Sequence, residues 1–277
     1  MRLWRGAAWS GRLGFVLTGL ITLVVAFGPA LMPWDPDAIA LAERLQPPGA
    51  AHWLGTDHLG RDVLSRLIAG ARVSLGAVAA AMALILAAGV TLGGAAALLG
   101  GRADQAIMRL ADVFLTFPTL VLALFLIGVL GAGMTNVIIA IALSHWAWYA
   151  RTARGAVIAL RSRDHVLAAR MAGASRVRIF LRHMAPAALS QLLTLATLDI
   201  GHIMLHVSSL SFLGLGVAPP AAEWGVMIAD ARPYVWTSPL LVLWPGLALC
   251  LSVMALNLTG DALRDHLDPR LRMEHGH

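Results

Sequence analysis

Lysine is absent from this chain, so all 21 fully charged basic side chains are arginine. Charge of either sign is scarce: charged residues make up 13% of the 277, against 58% hydrophobic residues and a mean hydropathy of +0.75. A water-soluble domain carries about a quarter charged residues, so the deficit excludes an ordinary soluble enzyme. There is one cysteine, Cys250, which sits in an apolar run and excludes an intrachain disulfide. No GxxxxGK[ST] phosphate loop occurs, so the chain has no nucleotide site of that kind. The net charge of +6 and pI near 11.1 do not point to nucleic acid. Nucleic-acid binding needs a basic patch on a soluble fold, and here the arginines lie between apolar runs.

Those runs are the dominant feature. A hydrocarbon core about 30 Å thick takes roughly 20 apolar residues per helix. Six stretches approach or exceed that length: about 13–32, 74–99, 111–132, 134–150, 187–216 and 239–258. The pattern predicts an all-α polytopic membrane protein with six transmembrane helices. The first run follows Arg2, Arg5 and Arg12 and leads into Pro33-Trp34-Asp35-Pro36 without a convincing small-residue cleavage site. It reads as an uncleaved signal anchor. With the N-terminus inside, the inner segments hold sixteen arginines and the outer ones five: Arg44, Arg61, Arg66, Arg72 and Arg232. Arginine accumulates on the cytoplasmic side, so both termini are expected there.

The largest inner segment, about 151–186, carries eight arginines from Arg151 to Arg182. Apolar residues recur between them at helical spacing: Val166, Ala169, Ala172 or Gly173, Val177 and Phe180. This predicts an amphipathic helical pair with too little core to fold alone. Its pattern suits a helix held at an anionic lipid surface and equally a docking surface for a cytoplasmic partner.

Within that segment, LAARMAGASRVRIFLRHMAP resembles the cytoplasmic loop of permease subunits of bacterial ABC importers. That family has a Glu-Ala-Ala triplet, a Gly four residues on, and a Leu-Pro ending. Ala168, Ala169, Gly173 and Pro186 match, while Leu167 stands at the Glu and Ala185 at the Leu. HWLGTDHLGRDVLSRLIAGARVSL (52–75), SFLGLGVAPPAAEWGVMI (211–228) and NLTGDALRDHLDPRLR (257–272) are similar to signatures of its dipeptide, oligopeptide and nickel branch. The resemblance runs from about residue 30 to residue 272. It implies the type I ABC importer permease fold. The parts would be an N-terminal anchor and periplasmic loop (1–72), a transmembrane core (73–268) with its coupling loop at 151–186, and a cytoplasmic tail (269–277). It also implies that Leu167, Ala168, Ala169 and Gly173 meet an ATPase, and that Asp57, Arg61 and Asp62 belong to an outer motif. The partners would be a second homologous permease, two ATPase subunits and a periplasmic solute-binding protein, with the surrounding membrane lipid and no nucleic acid. The setting would be a bacterial inner membrane. ATP would be hydrolysed on those partners, so this chain would be neither an enzyme nor the holder of a cofactor.

Cargo has to be read from departures. Against the peptide-type pattern, His202 and His206 stand at small-residue positions, Val207 at a Glu, and His145 at a small or hydroxyl residue. At about 100° per residue, Gln191, Asp199, His202, His206 and Ser209 share an arc of roughly 80°, with Leu195 inside it. A charged group at a bilayer centre costs at least about 2.5 kcal/mol, so this stripe should face a pathway or a partner helix. Three uses are open. The stripe could fix packing against the second permease, relay protons, or coordinate a divalent cation in transit, since imidazole suits Ni²⁺, Cu²⁺ and Zn²⁺. Within the resembled branch the last favours nickel, free or chelated, with a dipeptide or oligopeptide as the alternative. Weaker metal candidates are Met134, Met204, His52, His58, His275 and His277. An ion channel would not need the coupling loop. A hydrolase built on Ser144 and His145 is disfavoured, because adjacent helical side chains point about 100° apart.

Overall fold

The structure, a computed structural model, describes residues 9–267. Arg2, Arg5, Arg270, Arg272, His275, His277 and the tail 269–277 lie outside the described residues. Among those described, ten α-helices follow one another: α1 Trp9–Leu31, α2 Val63–Leu99, α3 Gly101–Thr116, α4 Thr119–Leu130, α5 Met134–Leu160, α6 Asp164–Met171, α7 Arg176–Ile179, α8 Ala185–Phe212, α9 Trp224–Ala231 and α10 Leu240–Leu267. The described residues form no strands, only a lone bridge between Thr56 and Asp62.

Local chemistry sets the breaks. Asp62 caps α2, its Oδ2 accepting from the Ser65 N–H at 2.8 Å, which satisfies one of the donors a helix start leaves free. Gly100 and Gly101 then end α2 at φ +64° and +55°, a region that L side chains avoid. Phe117, next to Pro118, is extended at φ −92° and ψ 140°, because the proline ring disfavours a helical residue before it. The pair α3–α4 is therefore bent by 98°. The run expected at 111–132 is thus two helices, not one straight span.

Among the described residues, four helices are long and apolar enough to cross a membrane, lying within Trp9–Leu31, Val63–Leu99, Arg176–Phe212 and Leu240–Arg264; the bent α3–α4 pair makes a fifth if counted as one. The run expected at 134–150 is helical, but α5 runs on to Leu160 and carries Asn136, His145 and Arg151, which dilute its apolar content. Instead it buries Val137, Ala140, Ile141, Trp146, Tyr149 and Val157 within the chain.

The chain divides into two compact units. The first comprises 1–79, 130–138 and 197–277. In it α1 lies against α10, where a Cβ on Gly14 would fall 2.7 Å from Thr259 N. The Thr18 and Thr259 hydroxyls bond at 2.8 Å across the same seam. Small residues and hydroxyls let helices approach closely where lipid gives no hydrophobic drive. The second unit comprises 80–129 and 139–196. There α2 meets α5 at Gly89 and Gly93. Arg154 grips Asp104 with both carboxylate oxygens, at 2.5 and 2.6 Å, fastening α5 to α3.

Candidate functional site

The segment around Asp57, Arg61 and Asp62 is a dense polar cluster in the first unit. Asp57 accepts from the Leu59 and Arg61 backbone N–H groups at 2.8 and 3.0 Å and from Arg61 Nε at 2.7 Å. Arg61 also reaches Asp230 at 3.7 Å. Asp62, besides capping α2, bonds His52 Nδ1 at 2.9 Å. His52 is thus a buried part of the motif, and His58 stacks on Tyr234 with ring centres 5.8 Å apart. Two members escaped the sequence reading. Arg66 is buried and donates to the carbonyls of Pro36 and Pro220 at 3.0 and 3.2 Å. Glu223 is 0% exposed; its carboxylate accepts from Ser74 Oγ at 2.8 Å and caps α9 through Val226 N at 3.0 Å. The available signal was an acidic residue one position before the apolar run WGVMIADA, where helix caps sit.

An orphaned buried hydroxyl and a lost cap together cost about 2–4 kcal/mol. Glu223→Ala should therefore lower the thermal midpoint of the purified protein clearly. Glu223→Gln, which keeps an acceptor, should lower it less; equal midpoints for all three proteins would refute this role.

The coupling loop lies in the second unit. α6 closes with Gly173 at φ +79°, the Gly173 N–H bonding Arg170 O and the Ala174 N–H bonding Ala169 O at 3.0 and 3.1 Å. This paired pattern needs a left-handed residue and is why glycine is there. Ser175 then caps α7 by accepting from Arg178 N at 3.3 Å. A π-helical turn, Phe180–Met184, leads into α8. Val166, Ile179, Met184 and Ala188 pack with Ala97 and Val157 into one core. The two helices expected here are present, and the corner at Gly173 resets the helical phase between them, so the apolar spacing from Val166 to Phe180 does not mark one face. Val166 is buried, Ala169 is partly buried, and Val177 faces out. Among exposed arginines, the outward side presents four large apolar side chains, Leu167, Val177 (60% exposed), Leu181 (63%) and Met171 (83%), with Ala168 and Gly173 also exposed.

The Asp/His stripe lies on the unbroken α8, so its helical alignment holds. Gln191, His202 and Ser209 are exposed, and Asp199 and His206 half-buried. His202, 74% exposed, places Nδ1 3.7 Å from Asp199 Oδ1. The face adjoining the stripe on one side buries Leu192, Ile203, Met204, Val207 and Leu210 completely. His145 is half-buried on α5, with Nδ1 3.3 Å from Ile141 O. Ser144 Oγ donates to Ala140 O at 2.7 Å, so its hydroxyl is turned to its own backbone. Among the described residues no three of His, Cys, Asp or Glu gather closely enough to hold a metal ion.

Residues 89–273 match the family model described as the binding-protein-dependent transport system inner membrane component. The chain is 60% identical to the nickel transport system permease protein NikC of Escherichia coli K12, over all 277 residues and the whole of both chains. It is 42% identical to the probable D,D-dipeptide transport system permease protein DdpC of the same organism, across 92% of this chain and 86% of that one. It is also 42% identical to the di/tripeptide transport system permease protein DppC of Pseudomonas aeruginosa, across 95% and 89%. In fold it matches an inward-facing structure of the MetNI methionine ABC transporter, with a TM-score of 0.59 and 16% identity over 73% of this chain and 96% of that one.

Proposed function

The chain belongs to the binding-protein-dependent transport system inner membrane component family, and from that premise we propose that it is the permease subunit through which an ATP-driven importer passes nickel. The observation that carries the cargo is the 60% identity, end to end, to a nickel permease, against 42% for the peptide permeases. Asp199, His202 and His206 support it, because they bring a carboxylate and two imidazoles to one side of a helix with no other ionisable side chain. Imidazole suits nickel, and a transport site has to bind weakly enough to release. A partial shell on one chain, with His145 as a further candidate, meets that need. The cargo is Ni²⁺ or its chelate.

The remaining assembly follows the family. A second, homologous permease completes the pathway, a periplasmic solute-binding protein delivers the cargo at the outer motif of Asp57, Arg61 and Asp62, and two ATPase subunits bind below. The apolar outward face of the coupling loop, with Leu167, Ala168, Ala169 and Gly173 at its corner, supports ATPase docking there. ATP binding and hydrolysis on those partners would rock the permease pair between inward and outward openings. The excess of inner arginines supports cytoplasmic termini in a bacterial inner membrane. The six crossings are α1, α2, the α3–α4 pair, α5, α8 and α10. Burial of α5 inside the protein lets it cross with fewer apolar residues than a lipid-facing helix needs.

The test is uptake of radiolabelled nickel by cells carrying His202→Ala or His206→Ala, with co-purification of the ATPases measured alongside. Loss of one ligand should cut uptake by at least about tenfold while assembly stays normal. Normal uptake with normal assembly would refute the metal path, and lost assembly would assign the stripe to packing against the second permease.

A further inference from the structure

Behind the coupling loop, on the side away from its apolar outward face, lies a cavity of about 440 Å³ wholly within the second unit. Its walls carry three guanidinium groups, Arg161 after α5, Arg170 on α6 and Arg176 on α7, and no carboxylate. Arg170 follows the buried Val166 by four residues on α6 and lines the cavity, while remaining open to solvent. Among the described residues, none of the three arginines forms a close ion pair, in contrast to Arg151 and Arg154, which hold Asp112 and Asp104; only Arg161 lies in the field of a carboxylate, that of Asp104. The rest of the wall is apolar: Leu98 and Leu99 at the end of α2, with Ile179 and Met184.

The position of that apolar wall is informative. From residue 73 to residue 101 the chain has no ionisable side chain, a run of about 43 Å at 1.5 Å per residue. A bilayer with its headgroup layers is about 40–45 Å thick. Leu98 and Leu99 therefore fall at headgroup depth, and Leu99 is open to its surroundings at 68% exposure. Three cations lining one cavity beside an apolar wall at that depth suit an anionic phosphate ester carried on a glycerol with acyl chains. Basic pockets between helices at this level take such headgroups.

We propose that this cavity holds the headgroup of an anionic phospholipid, and that the lipid braces the coupling loop from behind while the loop's apolar face remains free for the ATPase. The proposal concerns lipid and is independent of what cargo passes. A charge near the membrane surface contributes about 1 kcal/mol, roughly fivefold per arginine, so three should amount to about a hundredfold.

The experiment uses the assembled transporter in nanodiscs of phosphatidylcholine with a graded fraction of phosphatidylglycerol. Phosphatidylglycerol retained through detergent washing is counted by mass spectrometry. The triple variant Arg161→Gln, Arg170→Gln, Arg176→Gln should need about a hundredfold more phosphatidylglycerol for the same retention. The matched variant Arg163→Gln, Arg178→Gln, Arg182→Gln removes three arginines of the same loop that do not line the cavity, and should retain lipid like the parent. Equal loss in both triples would mean diffuse surface charge and would overturn the proposal, as would no loss in the first. Loss of the ATPases from the first triple with lipid retained would make the arginines a protein contact instead. Displacement of the lipid by millimolar inorganic phosphate would make the cavity a phosphate site and also overturn it.

Discussion

Replacing Met171 with aspartate should abolish transport in a permease that is still folded. Met171 ends α6, is 83% exposed, and stands with Leu167, Val177 and Leu181 on the outward face of the coupling loop. A substitution at so exposed a position changes the fold's own stability by about 0.5 kcal/mol or less. Four large apolar side chains left open on a short two-helix loop have no role in that fold, whose core is made by Val166, Ile179 and Met184 beneath them. In the proposed function their role is contact with the ATPase, and central apolar anchors in interfaces cost 2 kcal/mol or more when lost. That corresponds to about thirtyfold in affinity, and the buried, unpaired carboxylate adds to it. Cargo uptake should fall to background, and the ATPases should no longer co-purify with the variant, whose thermal midpoint stays at the parental value. Wild-type uptake and co-purification would show that the ATPase engages a different face.

Gly93→Leu should prevent accumulation of the folded protein altogether. A Cβ at Gly93 would lie 2.2 Å from the Ala150 carbonyl oxygen and 2.8 Å from Ala153 Cβ. No rotamer relieves a clash of the Cβ with backbone, so α2 and α5 must separate. Ordinary overpacking costs about 1–3 kcal/mol, and displacement of a whole helix exceeds that. The breach would also leave the pair from Arg154 to Asp104 strained or broken, because it depends on α5 staying in place. The control is Gly76→Leu on the same helix, where a Cβ would meet nothing within 4 Å. There the loss of glycine's backbone freedom stabilises a helix by about 0.5–1 kcal/mol. Detergent extracts should therefore contain monodisperse Gly76→Leu protein and aggregated or degraded Gly93→Leu protein. Equal yields would refute the close contact.

The two variants also mark what could be read without a structure. The long apolar runs were legible because a bilayer imposes its thickness on the sequence, and five of the six fall on helices that largely match them. The start of α2 was not, since Arg66 and Arg72 make residues 63–72 look like loop. Arg66 is tolerated in a helix because distant segments neutralise it, which no local pattern records. The bend at Phe117 was hidden for the opposite reason: Pro118 lies in so apolar a stretch that the run reads as continuous. In the segment 151–186, Gly173 was legible as a match to the resembled family's glycine, whereas its effect on the faces was not. One left-handed residue rotates everything after it, so a periodicity carried through the glycine assigns Val177 to the wrong side. The Asp199 and His202 alignment was recoverable because nothing interrupts α8 between them, and helical arithmetic holds for as long as the helix does.

Arg66 joins stretches of chain that are made at very different times. Its guanidinium binds Pro36 O from 30 residues upstream and Pro220 O from 154 residues downstream. A ribosome adds about 5–20 residues per second, so the second acceptor follows Arg66 by about 8–30 seconds. Through that interval the polar cap has its central cation but lacks Pro220, Glu223 and Asp230. The cap is therefore among the last parts of the first unit to close, and its closure reports that the chain has been synthesised beyond α9. A ribosome-stalled chain ending before residue 220 would expose Arg66 to a guanidine-directed reagent that the finished protein excludes.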